Sequence, residues 1–191
     1  YGANREMPFS TDQKTDRPVS LYGATKKANE LMAHSYSWMY GLPATGLRFF
    51  TVYGPWGRPD MALYLFADAI IEQKSLQLFN YGQMNRDFTY VDDIVEGISR
   101  LLPLTPTGST GEAAAHRVLN IGSHNPVALE RFLELIEQAV GRKALVEKLP
   151  MQSGDVASTF AEVSDLETLT GFRPSTSLEQ GIENSIAWYL E

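Results

Sequence analysis

The chain has 191 residues, 43% of them hydrophobic, enough to bury the core of one domain together with a small lobe. A formal net charge of -7 argues against a general nucleic-acid or anionic-membrane surface, although single basic residues can still bind phosphate. The lack of cysteine excludes disulfides and thiolate metal sites, and His34, His116 and His124 are scattered without ligand spacing, so no metal is expected. No apolar run approaches the roughly 20 residues of a membrane span. The first residue is Tyr1 rather than Met, which leaves room for a targeting or anchoring segment before it.

Tyr1 to Val19, with Pro8 and Pro18, reads as a strand end followed by a surface loop. Ser20 is a candidate N-cap, and Ala28, Leu31, Met32, Ser35, Trp38 and Met39 carry a helical period to Gly41, a stop signal before Pro43. The stripe Tyr36, Trp38, Tyr40 suits packing better than chemistry. Ala44 to Phe50 is a buried strand that ends in a turn, Thr51-Val52-Tyr53-Gly54-Pro55. Met61 to Ser75 is helical through Leu65, Phe66, Ala69 and Ile70 and reads as scaffold. Leu76 to Phe79 is a short strand, Asn80-Tyr81-Gly82 a turn and Arg86 to Tyr90 a second strand.

Val91 to Leu102 is a helix whose Asp92 and Asp93 suit the positive end of its dipole. Pro103 to His116 is a surface loop, and Arg117 to Gly122 is a core strand. Asn125-Pro126 caps a helix running through Phe132, Leu133, Ile136 and Val140 to Gly141, and Ala144 to Leu149 is a short strand. Pro150 to Phe160 is irregular. Ser164-x-x-Glu167 and Ser177-x-x-Gln180 are capping-box patterns that open a helix stopping at Gly171 and a last helix reaching Leu190.

Within the first helix, Tyr22 and Lys26 lie four residues apart, a spacing that stacks both on one face. An isolated phenol with a pKa near ~10 is a poor base at neutral pH, but an adjacent ammonium favours the phenolate, and such a pair can take a proton from an alcohol. The same spacing also arises by chance, as a surface aromatic beside a solvated charge. Tyr22-Gly23-Ala24-Thr25-Lys26 is followed by Leu47-Arg48-Phe49-Phe50-Thr51-Val52-Tyr53-Gly54-Pro55-Trp56-Gly57-Arg58-Pro59-Asp60-Met61, and then by Arg86-Asp87-Phe88-Thr89-Tyr90-Val91-Asp92-Asp93. In this order the three strings resemble the extended short-chain dehydrogenase/reductase family, and within it the nucleotide-sugar 4-epimerases acting on UDP-glucuronate. The resemblance covers nearly the whole chain, and the middle string is its most specific part.

The resemblance implies an α/β fold, the C-terminal part of a doubly wound Rossmann-type sheet with a small mixed α/β substrate-binding lobe. It implies NAD as cofactor, a UDP-sugar as substrate and a homodimer built through the Ser20 to Gly41 helix. Tyr22 and Lys26 are then the catalytic pair and also meet the cofactor, as does the backbone of Phe50. Thr51 and Arg58 face the sugar, Arg86 the diphosphate, and Phe79 and Asp155 the uridine. For Arg86 a surface salt bridge to Asp87 or Asp92 stays open, and Asp155 could equally be a turn former after Gly154. Gln152 stands where the family's galactose epimerases have arginine, a departure from that branch.

The family's third catalytic group, a Ser or Thr, is expected just before Tyr1. No G-x-x-G-x-x-G fingerprint follows a strand, so the sequence looks like the C-terminal part of a longer enzyme, with roughly 100 residues of βαβ units before it. A cytoplasmic enzyme is expected. Within the family, UDP-glucuronate decarboxylase and dTDP-glucose 4,6-dehydratase share Tyr22 and Lys26; outside enzymes, a non-catalytic substrate-binding fragment is the competing reading.

Overall fold

The computed structural model describes residues 1–152 and 155–191; the expected turn at Gly154 lies outside them. In chain order the elements are α1 (Leu21–Tyr40), β1 (Ala44–Phe49), β2 (Thr51–Tyr53), α2 (Ala62–Ile71), β3 (Ser75–Leu78), a 3-10 turn (Phe79–Gly82), β4 (Asn85–Tyr90), α3 (Val91–Leu101), β5 (His116–Ile121), β6 (Pro126–Ala128), α4 (Leu129–Val140), β7 (Leu145–Lys148), α5 (Ser164–Thr170) and α6 (Leu178–Leu190). The fold is mixed α/β with parallel strand pairs.

The Ser20 hydroxyl starts α1 by accepting from the Gly23 amide at 3.1 Å, and Gly41, at φ 64°, closes it with its amide on the Ser37 carbonyl at 2.9 Å. The helix is fastened to β1 by Arg48, whose Nε and Nη2 donate to the two oxygens of Glu30 at 2.7 and 3.0 Å. β1 pairs in parallel with β5, from Ala44 opposite His116 to Phe49 opposite Ile121. After Phe50 the chain continues as β2, which pairs in parallel with β4, and β4 pairs antiparallel with β6. β3 and β7 form a separate parallel pair.

Two cores follow from this division. Under the lobe, Phe88 of β4 stacks on Phe132 of α4 with centroids 3.9 Å apart, among Phe66, Ile70, Leu78, Ile136, Ile182 and Ile186. Each such side chain taken fully out of water contributes about 1.5 to 3 kcal/mol. The smaller core, Ile94, Leu101, Leu119, Ile121 and Leu166, joins α3 and α5 to β5. Gly97 lets α3 come close: a Cβ there would meet Ile121 Cδ1 at 2.8 Å.

Several local expectations are corrected. Asn125-Pro126 does not cap α4; Pro126 to Ala128 is drawn into pairing with β4, and α4 starts after Ala128 without a side-chain cap. Ser164 is the first residue of α5 rather than its cap, its amide held by Glu162 Oε1 at 2.9 Å. Ser177 does cap α6, although Gln180 turns its side chain to Asn184 instead of completing a box. Thr51 to Tyr53 is a strand, and the turn begins only at Gly54. In α2 the buried face is Leu63, Tyr64, Phe66, Ala67 and Ile70, while Leu65 is half exposed. The apolar period of α1 is real but outward: Leu31, Met32, Tyr36, Trp38, Met39 and Tyr40 are all exposed, and only Ser37 is buried.

Candidate active site

Tyr22 lies in the first turn of α1 with 68% of its surface exposed, and Lys26 Nζ sits 5.3 Å from the centre of its ring. One turn of helix therefore delivers the phenol and the ammonium to solvent as a unit. Phe50 lies at the junction of β1 and β2, its amide donated to the Ile121 carbonyl at 3.2 Å, so its carbonyl is what it can offer a ligand.

Thr51 opens β2 in register with Phe88, two residues along β4 from Arg86. A 3.3 Å rise and a 4.8 Å strand spacing place the Thr51 and Arg86 backbones about 8 Å apart. Beyond β2 the chain turns sharply. Gly54 has φ 141°, and Trp56, at φ 61°, is a bulky residue in the left-handed region with 87% of its surface exposed. The turn is pinned from α2 by Tyr64, whose hydroxyl donates to the Gly54 carbonyl at 2.7 Å and accepts from the Gly57 amide at 2.9 Å. Arg58 leaves this turn into solvent, where its Nε and Nη2 donate to the two carboxylate oxygens of Asp60 at 3.0 and 3.1 Å.

The third group gathers in the lobe. The segment after β7 runs beside the 3-10 turn, with the Tyr81 amide on the Leu149 carbonyl at 2.9 Å, and then along β4, with the Asn85 amide on the Ala157 carbonyl at 2.9 Å. That path brings Asp155 to Arg86, whose Nη2 donates to Asp155 Oδ1 at 2.9 Å across 69 residues of sequence. The salt bridge weighed for Arg86 thus exists, but with Asp155 in place of Asp87 or Asp92. Burial pushes the Arg86 guanidinium below its ordinary value, and Asp155 opposes the shift. Phe79 follows β3 directly and is half buried.

Asp92 and Asp93 both sit in the first turn of α3 as expected, and Asp93 also accepts from the Thr176 amide at 3.0 Å. Three residues near the site escaped the sequence. Asp60 was signalled by its opposite charge two residues from Arg58 across Pro59. Tyr64 was signalled by a phenol on an otherwise apolar helix face. Asp87, fully buried, accepts from the Ser123 amide and hydroxyl at 2.8 and 2.7 Å and from the Ala161 amide at 3.0 Å, and nothing local marks that role.

Parallel strands, with a tyrosine-lysine pair at a helix head and Arg58 beyond the carboxyl end of β2, define part of a short-chain dehydrogenase/reductase-type fold. The chain belongs to the NAD dependent epimerase/dehydratase family, whose model matches residues 1–124. A probable UDP-glucuronate 4-epimerase of Rhizobium meliloti (strain 1021) is 50% identical over 99% of this chain and 59% of its own length. UDP-glucuronate 4-epimerase 2 of Arabidopsis thaliana is 46% identical over the whole chain and 46% of its own length. A mutant UDP-glucuronic acid 4-epimerase from Bacillus cereus, solved with UDP-4-deoxy-4-fluoro-glucuronic acid and NAD, superposes with a TM-score of 0.84 at 31% identity, covering 97% of this chain and 57% of that one. The chain therefore spans about half the length of the relatives it matches.

Proposed function

We propose that this chain is the C-terminal part of an NAD-dependent enzyme that inverts C4 of UDP-glucuronate to give UDP-galacturonate through a 4-keto intermediate. The observation that carries the choice of sugar is Arg58, presented to solvent on a pinned turn at the carboxyl end of β2, where a doubly wound sheet places its ligand. A guanidinium there suits a C6 carboxylate, and each charge-assisted hydrogen bond contributes about 1.5 to 3 kcal/mol.

The residues present fit the nicotinamide end of NAD: Tyr22 and Lys26 stand exposed on one helix face, and the Phe50 carbonyl closes β1. The pyrophosphate end needs a glycine-rich turn that these 191 residues do not carry, and we assign it to an N-terminal part. β1 supports that assignment, because among the described residues it pairs with β5 alone, which leaves an edge for further strands. NAD, when bound, supplies the acceptor and donor of the C4 hydride.

In this reading Tyr22 takes the proton of the 4-hydroxyl as hydride leaves C4, and returns it after the sugar has turned its other face. Lys26 stabilises the phenolate. Arg86 holds the diphosphate through the donors Asp155 leaves free, and Asp155 and the Phe79 backbone meet the uridine. Thr51 and Arg58 hold the sugar. The outward apolar stripe of α1 supports a homodimer through that helix. Among the described residues no helix is long and apolar enough to cross a membrane.

The test is to assay full-length enzyme with UDP-glucuronate and NAD, resolving products by mass. Tyr22→Phe is expected to lose turnover while keeping UDP-sugar affinity within a few-fold. Arg58→Ala is expected to bind UDP-glucuronate more weakly and to release UDP-pentose, because an unrestrained carboxylate can align with the 4-keto group. A folded Arg58→Ala with unchanged affinity and only UDP-galacturonate as product would overturn the glucuronate assignment.

A further inference from the structure

We propose that Asp60 is a positioning residue for the sugar carboxylate, holding one edge of the Arg58 guanidinium so that its other edge receives the C6 carboxylate of the substrate. The inference rests on the glucuronate reading above. A guanidinium has two bidentate edges, Nε with Nη2 at the side and Nη1 with Nη2 at the end. Asp60 takes the side edge, with 3.0 Å from Nε to Oδ1 and 3.1 Å from Nη2 to Oδ2. Among the described residues no hydrogen-bond partner meets Nη1, and Nη2 has in addition only the Met61 sulfur at 3.7 Å. The end edge is met only by that weak sulfur acceptor, which an incoming carboxylate can displace.

The local chain is built to hold this arrangement. Pro59 fixes the backbone between the two charged residues, and the Met61 amide closes the turn on the Arg58 carbonyl at 3.1 Å. Tyr64 pins the preceding turn at Gly54 and Gly57. Stability gives little reason for the pair, because both side chains are about 70% exposed and such ion pairs contribute little to folding. Its effect is geometric: an arginine side chain loses freedom before the substrate arrives, so less is lost when it binds. The carboxylate also cancels the charge of Arg58, which keeps the turn from attracting anions indiscriminately.

Orientation matters because of what the 4-keto sugar can do. If its C5–C6 bond stands perpendicular to the plane of the C4 carbonyl, in line with the π system, that bond pair moves to form an enolate and carbon dioxide leaves. C5 then takes a proton from water, leaving a UDP-4-keto-pentose; return of the hydride to C4 from bound NAD in its reduced form, with a proton to O4 from Tyr22, would give a UDP-pentose. A guanidinium free to swing follows the carboxylate into that alignment, whereas one held by Asp60 resists it.

Full-length Asp60→Asn, Asp60→Glu and Arg58→Ala are compared on UDP-glucuronate with NAD, measuring KM, kcat and the ratio of UDP-pentose to UDP-galacturonate, with thermal melts confirming the fold. Affinity for UDP-glucose, which lacks the carboxylate, serves as the control. Asp60→Asn is expected to raise the pentose fraction and KM by about tenfold while kcat stays within a few-fold, with UDP-glucose affinity unmoved and Asp60→Glu restoring most of the wild-type partition. If Arg58→Ala releases pentose and Asp60→Asn does not, Asp60 has no positioning role while the glucuronate reading stands. A lower KM in Asp60→Asn without pentose would make Asp60 a competitor of the substrate and overturn the proposal. Absence of pentose from Arg58→Ala removes the basis of both readings.

Discussion

His116, the first residue of β5, is half buried with its Nε2 enclosed and without a partner among the described residues, and the His34 ring stands edge-on 5.6 Å away. Burial first, and then the neighbouring His34, push its imidazole below the ordinary value of 6.5, with Glu30 opposing. The folded protein thus binds a proton at His116 less readily than the unfolded chain does. Below pH 6.5 the unfolded state binds more protons, so stability falls as the pH drops through that value. Glu30 acts in a lower window. Burial would raise its carboxyl, but the hydrogen bonds and charges of Arg48 and Lys27 outweigh that and hold it below 4.5, so its contribution is complete above that value and lost below it. Calorimetry of the full-length protein from pH 7.5 to 5.5 should show a melting temperature that falls with acidification, and His116→Asn should flatten that slope. An unchanged slope in the variant would show that His116 carries no such linkage.

At the scale of the element, α1 bears the clearest unfinished surface. Met32, Tyr36 and Met39 lie on one face at i, i+4 and i+7, all more than half exposed. Placing charge there should cost the isolated helix little and a helix-helix interface a great deal. Met32→Lys with Met39→Lys is expected to convert a dimer of the full-length protein to a folded monomer in sedimentation, and a persistent dimer would move the interface elsewhere. The sequence made the period of this helix legible, and its caps Ser20 and Gly41, because those depend on residues within a few positions. It did not show which way the stripe faces, since that depends on what β1 and β5 already cover. Pro126 to Ala128 failed as a cap for the same reason: pairing with a strand some 40 residues earlier outweighed a local preference. The site divides likewise. Tyr22 with Lys26 needed only a helix, whereas Arg86 with Asp155 needed the lobe to fold a distant segment back.

For the molecule as a whole, the described residues form two cores, with β1 paired to β5 alone, and we read the larger core as the substrate lobe of the proposed enzyme. Calorimetry on the 191-residue chain alone is expected to show no NAD binding, because no phosphate-cradling glycine turn is present, while the full-length protein binds. Micromolar binding by the chain alone would overturn that division of labour.

Asp87 carries a consequence for how the chain reaches this state. Its carboxylate is bonded to amides 36 and 74 residues further along, and each of those segments is irregular. It can be satisfied only after β5 and the segment beyond β7 have both arrived, so closing these loops must precede any reward. Until then the side chain is a charge with water as its partner, favouring the open chain. A chain cut before Ala161 therefore lacks one of the donors that satisfy the buried Asp87 carboxylate, and the segment after β7 loses that tie to β4.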